Sequence, residues 1–328
     1  AGQISNFQKE KYFNVELDCD GIPAVKPKIF DPDEAEQLRS RCQGSEAIVT
    51  AVKETEKKVK APKLYDLTTL QREANRIYGM TAKQTLDTAQ SLYEKKLITY
   101  PRTDSQYLTE DMEQTARNVV RQIYEKYQLT GPFDQPEQPD VKKVMNNSKV
   151  TDHHAIIPTM ELASCHLDEL KSWEEKILFL IAVHTVMAMS KDHIYQETEI
   201  EVECQGEIFK AKGRTVLQDG WKLFENCFKN KDRMAIVDPD QEMKERMPKV
   251  TQGQTFYAVA AEKTEHFTSP PKPYSEDTLL AAMETAGNKE FDEDTEKKGL
   301  GTPATRAGII EKLIYSQYAT RKGKQILP

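Results

Sequence analysis

The sequence predicts an α+β protein of more than one domain. Apolar–polar alternation of the strand type gathers in two separate regions, residues 11–60 and 197–262, while the stretch between them reads as helices. At roughly 100–200 residues per domain, 328 residues make two or three domains, long enough to bury real cores.

The elements follow in order. KYFNVEL (Lys11–Leu17) alternates as a strand, DPDEAEQLRSRC (Asp31–Cys42) opens as a capped helix, and AIVTAVKETEKKVK (Ala47–Lys60) alternates again. After Pro62 come two helices. Leu67–Gly79 ends on a glycine suited to a left-handed C-cap, and Thr81–Lys96 starts on a threonine suited to an N-cap. Leu86, Ala89, Leu92 and Tyr93 recur at helical spacing and predict the buried face of the second helix. LITYPRTDS (Leu97–Ser105) is β-branched and broken by Pro101, so it predicts an extended segment entering a loop, followed by a helix from about Glu110 to Tyr127. Thr130–Asp140 is polar and proline-rich and is expected as a surface loop. A long helix starting near Leu167 contains the apolar run Ile177–Met189, and period-2 alternation returns from Glu197 to about Glu262. Beyond Pro270-Pro271 a helix is expected near Glu276–Ala286. An acidic stretch, Glu290–Glu296, then leads to a Gly/Pro turn and a further helix within Lys297–Ile314. A strand-rich unit is therefore split around a helical insertion, and no internal repeat is present.

Composition excludes several classes. Ile177–Met189 is too short to span a bilayer and has His184 in its middle, so no membrane partner is expected, and Ala1–Asn6 is not a signal peptide. The five cysteines, Cys19, Cys42, Cys165, Cys204 and Cys227, are odd in number and never spaced C-x-x-C. They are expected as reduced thiols of a cytoplasmic protein, neither a disulfide framework nor a zinc site. The absence of a starting Met suggests a processed or excised piece. The net charge of −7 argues at first against a nucleic-acid partner, but it is a sum. Lys297–Pro328 carries seven Lys/Arg against one Asp/Glu, whereas Glu265–Glu296 carries two against nine. Fields beyond roughly 8–10 Å are screened at physiological salt, so a local site for phosphate is compatible with an acidic total.

Three clusters could carry chemistry. In Leu97–Ser105 an extended backbone projects Tyr100 and Arg102 to one side, a phenol nucleophile beside a cation whose planar fork suits phosphate oxygens. On residue chemistry alone the plainer reading, a half-buried tyrosine next to a salt-bridged arginine, is the favoured one. Of His153 and His154, adjacent on an extended segment, one at most should reach a shared site, where imidazole could donate to a phosphate oxygen or move a proton. GLGTPATRAGII (Gly299–Ile310) places Thr302, Pro303, Thr305 and Arg306 at a helix start that favours an anion, with Lys297 and Lys298 nearby. Asp238, Asp240 and Glu242 alternate like a Mg²⁺-binding set, but the loop-like surroundings point to an exposed turn; no metal site is expected in the chain.

These clusters, in this order, resemble the type IA DNA topoisomerases, most closely the bacterial topoisomerase III branch. The resemblance is carried by Pro62–Ser105, TDHHAIIPT (Thr151–Thr159), Gly220-Trp221, Ser269–Gly287 and Gly299–Leu313. It implies ATP-independent cleavage of single-stranded DNA, with Tyr100 matching the nucleophile that becomes linked to the 5′-phosphate, Arg102 the arginine that holds the scissile phosphate, and His153 the histidine of a second motif. Gln90, His154, Thr305 and Arg306 match or adjoin DNA-contacting positions. It implies a toroidal enzyme in which residues 1–60 and 193–263 form a strand-rich arch, 61–192 the helical domain carrying the tyrosine, and 264–328 part of the DNA-gripping domain. Mg²⁺ is expected in the whole enzyme, held by an N-terminal Toprim domain whose ligands this sequence lacks, so the chain reads as a central fragment, inactive alone. A monomer in the bacterial cytoplasm at the nucleoid is expected, with a helicase as a candidate partner. The rival reading is a non-catalytic single-stranded-DNA-binding or scaffolding protein, which has no physical need for the Tyr100–Arg102 pair.

Overall fold

The structure is a computed structural model describing residues 4, 6–129, 139–225, 248–287 and 299–328. Two compact units result. One comprises the described residues up to 59 together with 194–219 and 248–272; the other comprises 60–129, 139–193, 220–225, 273–287 and 299–328.

The first unit is built on a seven-stranded sheet. Its strands are β1 (Lys11–Cys19), β2 (Ile22–Ile29), β3 (Ala47–Val59), β4 (His193–Cys204), β5 (Glu207–Gln218), β6 (Thr255–Phe256) and β7 (Ala260–Phe267), in the order β6-β3-β4-β5-β2-β1-β7. Two hairpins set its registers. Asp20-Gly21 joins β1 to β2 and Gln205-Gly206 joins β4 to β5, each pair with positive φ at both positions, as a type I′ turn requires. Along the second hairpin Glu197, Glu199 and Glu201 face Arg214, Lys212 and Lys210, so opposite charges pair across the strands and penalise a register slip. Helix α1 (Pro32–Cys42) is capped by the Asp31 carboxylate, which accepts the Asp33 N–H at 2.8 Å. It buries Ala35, Leu38 and Cys42 in a core with Val15, Leu17, Val202 and Phe209. Cys19, Cys42 and Cys204 are buried there as free thiols, and burial pushes the first two up to about 12. Cys227 lies outside the described residues. β7 runs through Phe267, so the boundary expected at residue 263 falls inside a strand.

The second unit carries the helices α2 (Leu67–Tyr78), α3 (Ala82–Glu94), α4 (Glu113–Tyr127), α5 (Ser172–Ala188), α6 (Glu276–Thr285) and α7 (Pro303–Tyr315), with a small hairpin of β8 (Thr320–Lys322) and β9 (Gln325–Leu327). Asp66 caps α2 and Gly79 closes it in the left-handed conformation, while Thr81 and Gln84 form a capping box on α3. α5 is apolar on all sides and forms the centre of the main core with Leu70, Leu92, Ile98, Val120 and Ile156. It starts at Ser172; the expected start near Leu167 is instead a separate 3₁₀ turn, Leu167–Glu169. Likewise Glu110–Met112 is a 3₁₀ turn before α4. Near the start of α5, Glu174 accepts from Ser91 at 2.7 Å and Lys95 at 2.6 Å. Burial pushes its carboxyl upward, but these bonds and the Lys171 N–H outweigh that and hold it down to about 2. α6 and α7 pack on the start of α3 through Leu280, Met283, Ala307, Ile310 and Ala82, and the Ala82 N–H donates to the Glu276 carboxylate at 2.6 Å. None of the described helices is long and apolar enough to cross a membrane.

Candidate active site around Tyr100

The tyrosine segment is held by its neighbours on either side. Ile98 bridges Pro158 in antiparallel fashion, Thr99 N–H donates to the Ile157 carbonyl at 3.0 Å, and Thr159 N–H donates to the Leu97 carbonyl at 3.0 Å. Threonine hydroxyls complete the clamp. Thr99 Oγ1 donates to the Ala155 carbonyl at 2.9 Å, and Thr103 Oγ1 donates to the His153 carbonyl at 3.0 Å while accepting the Ser105 N–H at 3.1 Å. The start of α2 is fixed to the same loop, since Leu67 N–H donates to the Thr103 carbonyl at 3.1 Å. Pro101, Thr103 and Ser105 are buried, whereas Tyr100 is half-buried and Arg102 and Asp104 are exposed. That alternation puts Tyr100, Arg102 and Asp104 on one side of an extended backbone, as the i, i+2 spacing predicts.

Fifty-three positions apart in sequence, Tyr100 and His153 meet. Their ring centroids lie 4.3 Å apart, and the Tyr93 ring meets Tyr100 edge-on at 5.3 Å. Tyr93 is thus no core residue: it is 39% exposed, and its ring meets Tyr100 while Ser91 and Leu92 of the same turn face α5. Arg102 is exposed and makes no hydrogen bond or ion pair among the described residues. Together with His153 it lines a cleft of ≈ 230 Å³ whose other wall is the first turn of α7, Thr302 to Ala304. Asp104 and Asp152 also border it, so the cleft mixes a free guanidinium and a helix N-terminus with two carboxylates.

The remaining candidates separate. His154 turns away, its Nδ1 2.9 Å from the Ala155 carbonyl oxygen, so one of the adjacent histidines faces the tyrosine. Gln90 lies on α3 and donates to Glu94 at 3.2 Å. Thr305 bonds back to its own helix start, accepting the Thr302 N–H at 2.8 Å. Arg306 is only 3% exposed; its Nη1 donates to Thr68 Oγ1 at 2.9 Å and its Nε to the Leu300 carbonyl at 3.2 Å. It ties the glycine loop to α2 and is not turned to solvent, since it shares the helix face of Ala307 and Ile310. The loop itself needs glycine. Gly299 has φ +65, and a Cβ there would lie 2.4 Å from the carbonyl oxygens of Met283 and Glu284. Lys297, Lys298, the Glu290–Glu296 stretch, the Asp238/Asp240/Glu242 set and most of the Thr130–Asp140 loop lie outside the described residues. Thr99 and Tyr93 were not singled out from sequence as site residues; the regular alternation through residues 97–105 was the available signal for Thr99.

Comparison with known proteins places the chain in a family. A family model described as DNA topoisomerase matches residues 1–328. DNA topoisomerase 3 from Bacillus licheniformis is 36% identical over 348 residues, covering 98% of this chain and 46% of the relative. The enzyme of that name from Bacillus subtilis is 36% identical with the same coverage. The solved structure of full-length topoisomerase I from Thermotoga maritima matches with a TM-score of 0.73 at 25% identity, over 100% of this chain and 50% of that one. The chain therefore spans about half the length of the curated relatives it matches. With its tyrosine block, its α+β architecture and these matches together, the chain belongs to the DNA topoisomerase family and carries a type IA topoisomerase fold.

Proposed function

We propose that this chain supplies the strand-cleaving tyrosine of a topoisomerase III-like enzyme that cuts single-stranded DNA, lets another strand or duplex pass, and reseals the break without ATP. The observation that carries the reading is the meeting of Tyr100 with His153, which together with the exposed, unpaired Arg102 lines a cleft that the N-terminus of α7 also walls. In the cleavage step the Tyr100 oxygen forms a bond to phosphorus and the bond from phosphorus to the 3′-oxygen breaks, leaving a 5′-phosphotyrosine and a 3′-hydroxyl. Arg102 holds two non-bridging oxygens in its planar fork. His153 holds a phosphate oxygen or takes the phenolic proton; in the first case water takes that proton, and in both the departing 3′-oxygen is protonated, by the imidazolium or by water. The phosphotyrosine ester retains the energy of the broken bond, so attack by the 3′-hydroxyl reverses the step with no nucleotide cofactor. Gln90, His154 and Thr305 serve the bound strand, and Arg306 acts through the loop it anchors.

Among the described residues no group of three or more His, Cys, Asp or Glu could hold a metal ion. The family resemblance, and not any feature of these residues, is the ground for assigning Mg²⁺ to the whole protein. A monomer working in the bacterial cytoplasm at the nucleoid, with a helicase as partner, completes the reading. The test is covalent capture of single-stranded oligonucleotide and relaxation of supercoiled plasmid by the whole protein with Mg²⁺. Tyr100→Phe should abolish both while leaving oligonucleotide binding within about threefold, and this chain alone should relax nothing. A covalent adduct that survives Tyr100→Phe refutes the assignment.

A further inference from the structure

Hydrogen bonds hold the backbone on either side of Tyr100, and none reaches its side chain. The ring is half-buried, and its hydroxyl makes no hydrogen bond among the described residues. A tyrosine side chain has staggered χ1 wells, and each points the phenolic oxygen in a different direction. A nucleophile gains rate by keeping to one of them, because attack at phosphorus needs the oxygen in line with the leaving group. Since no hydrogen bond selects the well here, the packing of neighbouring rings is left to do so. His153 lies 4.3 Å away between centroids, tilted by 46°, and Tyr93 lies 5.3 Å away, edge-on at 73°. The Tyr93 contact has the edge-to-face geometry in which aromatic rings attract.

Tyr93 is placed for this contact by the way α3 ends. Lys96 takes the left-handed conformation at φ +60. Its N–H donates to the Tyr93 carbonyl at 2.8 Å, and the Leu97 N–H donates to the Leu92 carbonyl at 2.9 Å. These are the two bonds of a Schellman motif, which ends the helix and redirects the chain. The tyrosine segment therefore leaves α3 beside its own last turn, and Tyr100 meets the ring of that turn. The turn is itself anchored. Leu92 is fully buried in the main core, while Ser91 at 2.7 Å and Lys95 at 2.6 Å donate to Glu174 of α5. The Tyr93 ring stands outside that core, and its hydroxyl makes no hydrogen bond among the described residues.

We propose that Tyr93 is a positioning residue for strand cleavage, its ring edge confining the Tyr100 ring to one rotamer against His153. The role belongs to the ring and not to the Tyr93 hydroxyl. Its effect on cleavage rests on the reading of Tyr100 as the nucleophile; its effect on the Tyr100 rotamer does not.

Two measurements on Tyr93→Leu and Tyr93→Phe test the proposal. In the whole protein with Mg²⁺, covalent capture of a labelled single-stranded oligonucleotide is timed at saturating protein, beside the affinity for the same oligonucleotide. Tyr93→Leu should slow capture about two- to tenfold, the worth of one aromatic pair, and change affinity by less than about twofold; Tyr93→Phe should match the parent. In this chain, three-bond NMR couplings from the backbone nitrogen and carbonyl carbon to Cγ of Tyr100 report its χ1 populations, with the signals assigned by their loss in Tyr100→Phe. One staggered well is expected in the parent and in Tyr93→Phe, and averaging between wells in Tyr93→Leu. Both effects are required. Parent-like capture in Tyr93→Leu, a single χ1 well kept there, a loss confined to affinity, or a Tyr93→Phe as slow as Tyr93→Leu each overturns the proposal. An adduct that persists in Tyr100→Phe is a separate result: it overturns the nucleophile reading, and the role of Tyr93 in cleavage with it.

Discussion

Thr103 is the residue whose hydroxyl joins the tyrosine segment to the histidine segment, and replacing it by valine isolates that link. Valine keeps the shape and loses the oxygen. Thr103 is 3% exposed, and its Oγ1 makes two bonds, to the His153 carbonyl at 3.0 Å and from the Ser105 N–H at 3.1 Å. The Ser105 N–H is left buried and unpaired, which costs about 1–3 kcal/mol, and losing the bond to the half-exposed His153 carbonyl costs about 0.5–1.5 kcal/mol. The extra methyl returns up to about 0.8 kcal/mol through burial. The net expectation is a loss of about 2–3 kcal/mol. Both tryptophans, Trp173 and Trp221, lie in the helical unit, so their fluorescence during urea denaturation reports that unit. With a slope of about 2–3 kcal/mol/M, the midpoint should fall by about 1 M. Thr103→Ser, which keeps the hydroxyl and loses a methyl, should fall by less than half as much. In the whole protein Thr103→Val should slow covalent capture of DNA more than it weakens DNA binding. A Thr103→Val midpoint equal to or above that of Thr103→Ser would show that the hydroxyl does not hold the two segments together.

Other perturbations follow the same reasoning. Gly299→Ala forces a left-handed alanine, worth about 1–2 kcal/mol, and drives its Cβ to 2.4 Å from two backbone carbonyl oxygens, so a total loss above about 3 kcal/mol is expected by the same fluorescence assay. Lys95→Met leaves Glu174, whose side chain is 4% exposed, with one neutral and one backbone donor. A loss of about 2–4 kcal/mol should be recovered in part by Lys95→Met/Glu174→Gln. Two buried groups oppose each other in acid. Burial raises Asp66 to about 6 in the folded chain, above its ordinary 3.8, so the folded state takes up the proton first and stability rises as pH falls through that window. His184 is lowered from 6.5 to about 4, so the unfolded state takes up the proton first and stability falls over nearly the same window. Asp66→Asn removes the compensation; its stability should drop by about 2–3 kcal/mol more than the parent's between pH 6.5 and 4, measured as urea midpoints across pH.

The local shape of the site was legible because short-range physics sets it. Pro101 forces the extended backbone that puts Tyr100 and Arg102 on one side, and Thr81 with Gln84 announces the start of the helix that carries Gln90 and Tyr93. Arg306 was equally readable in principle: it shares a helix face with Ala307 and Ile310, a pattern that buries a cation. The partner of Tyr100 was not readable from spacing, because the backbone pairing of Ile98 with Pro158 brings residues 100 and 153 together, and nothing near either one encodes that pairing. The buried Tyr65–His184 stack escaped for the same reason, since its two rings come from segments 119 positions apart that meet only when α5 enters the core.

The decisive point is that Tyr100 attacks a DNA phosphate and becomes linked to the 5′-phosphate at the break, so it retains the fragment downstream of the cut. It is tested most directly by which end of the strand the protein carries. The whole protein is mixed with a single-stranded oligonucleotide labelled at either its 5′ or its 3′ end, denatured, and resolved by electrophoresis. The 3′ label should migrate with the protein, the 5′ label should stay on a free fragment ending in a 3′-hydroxyl, and the adduct should disappear in Tyr100→Phe. A protein-bound 5′ label, or a 3′-labelled adduct on another residue, would contradict it.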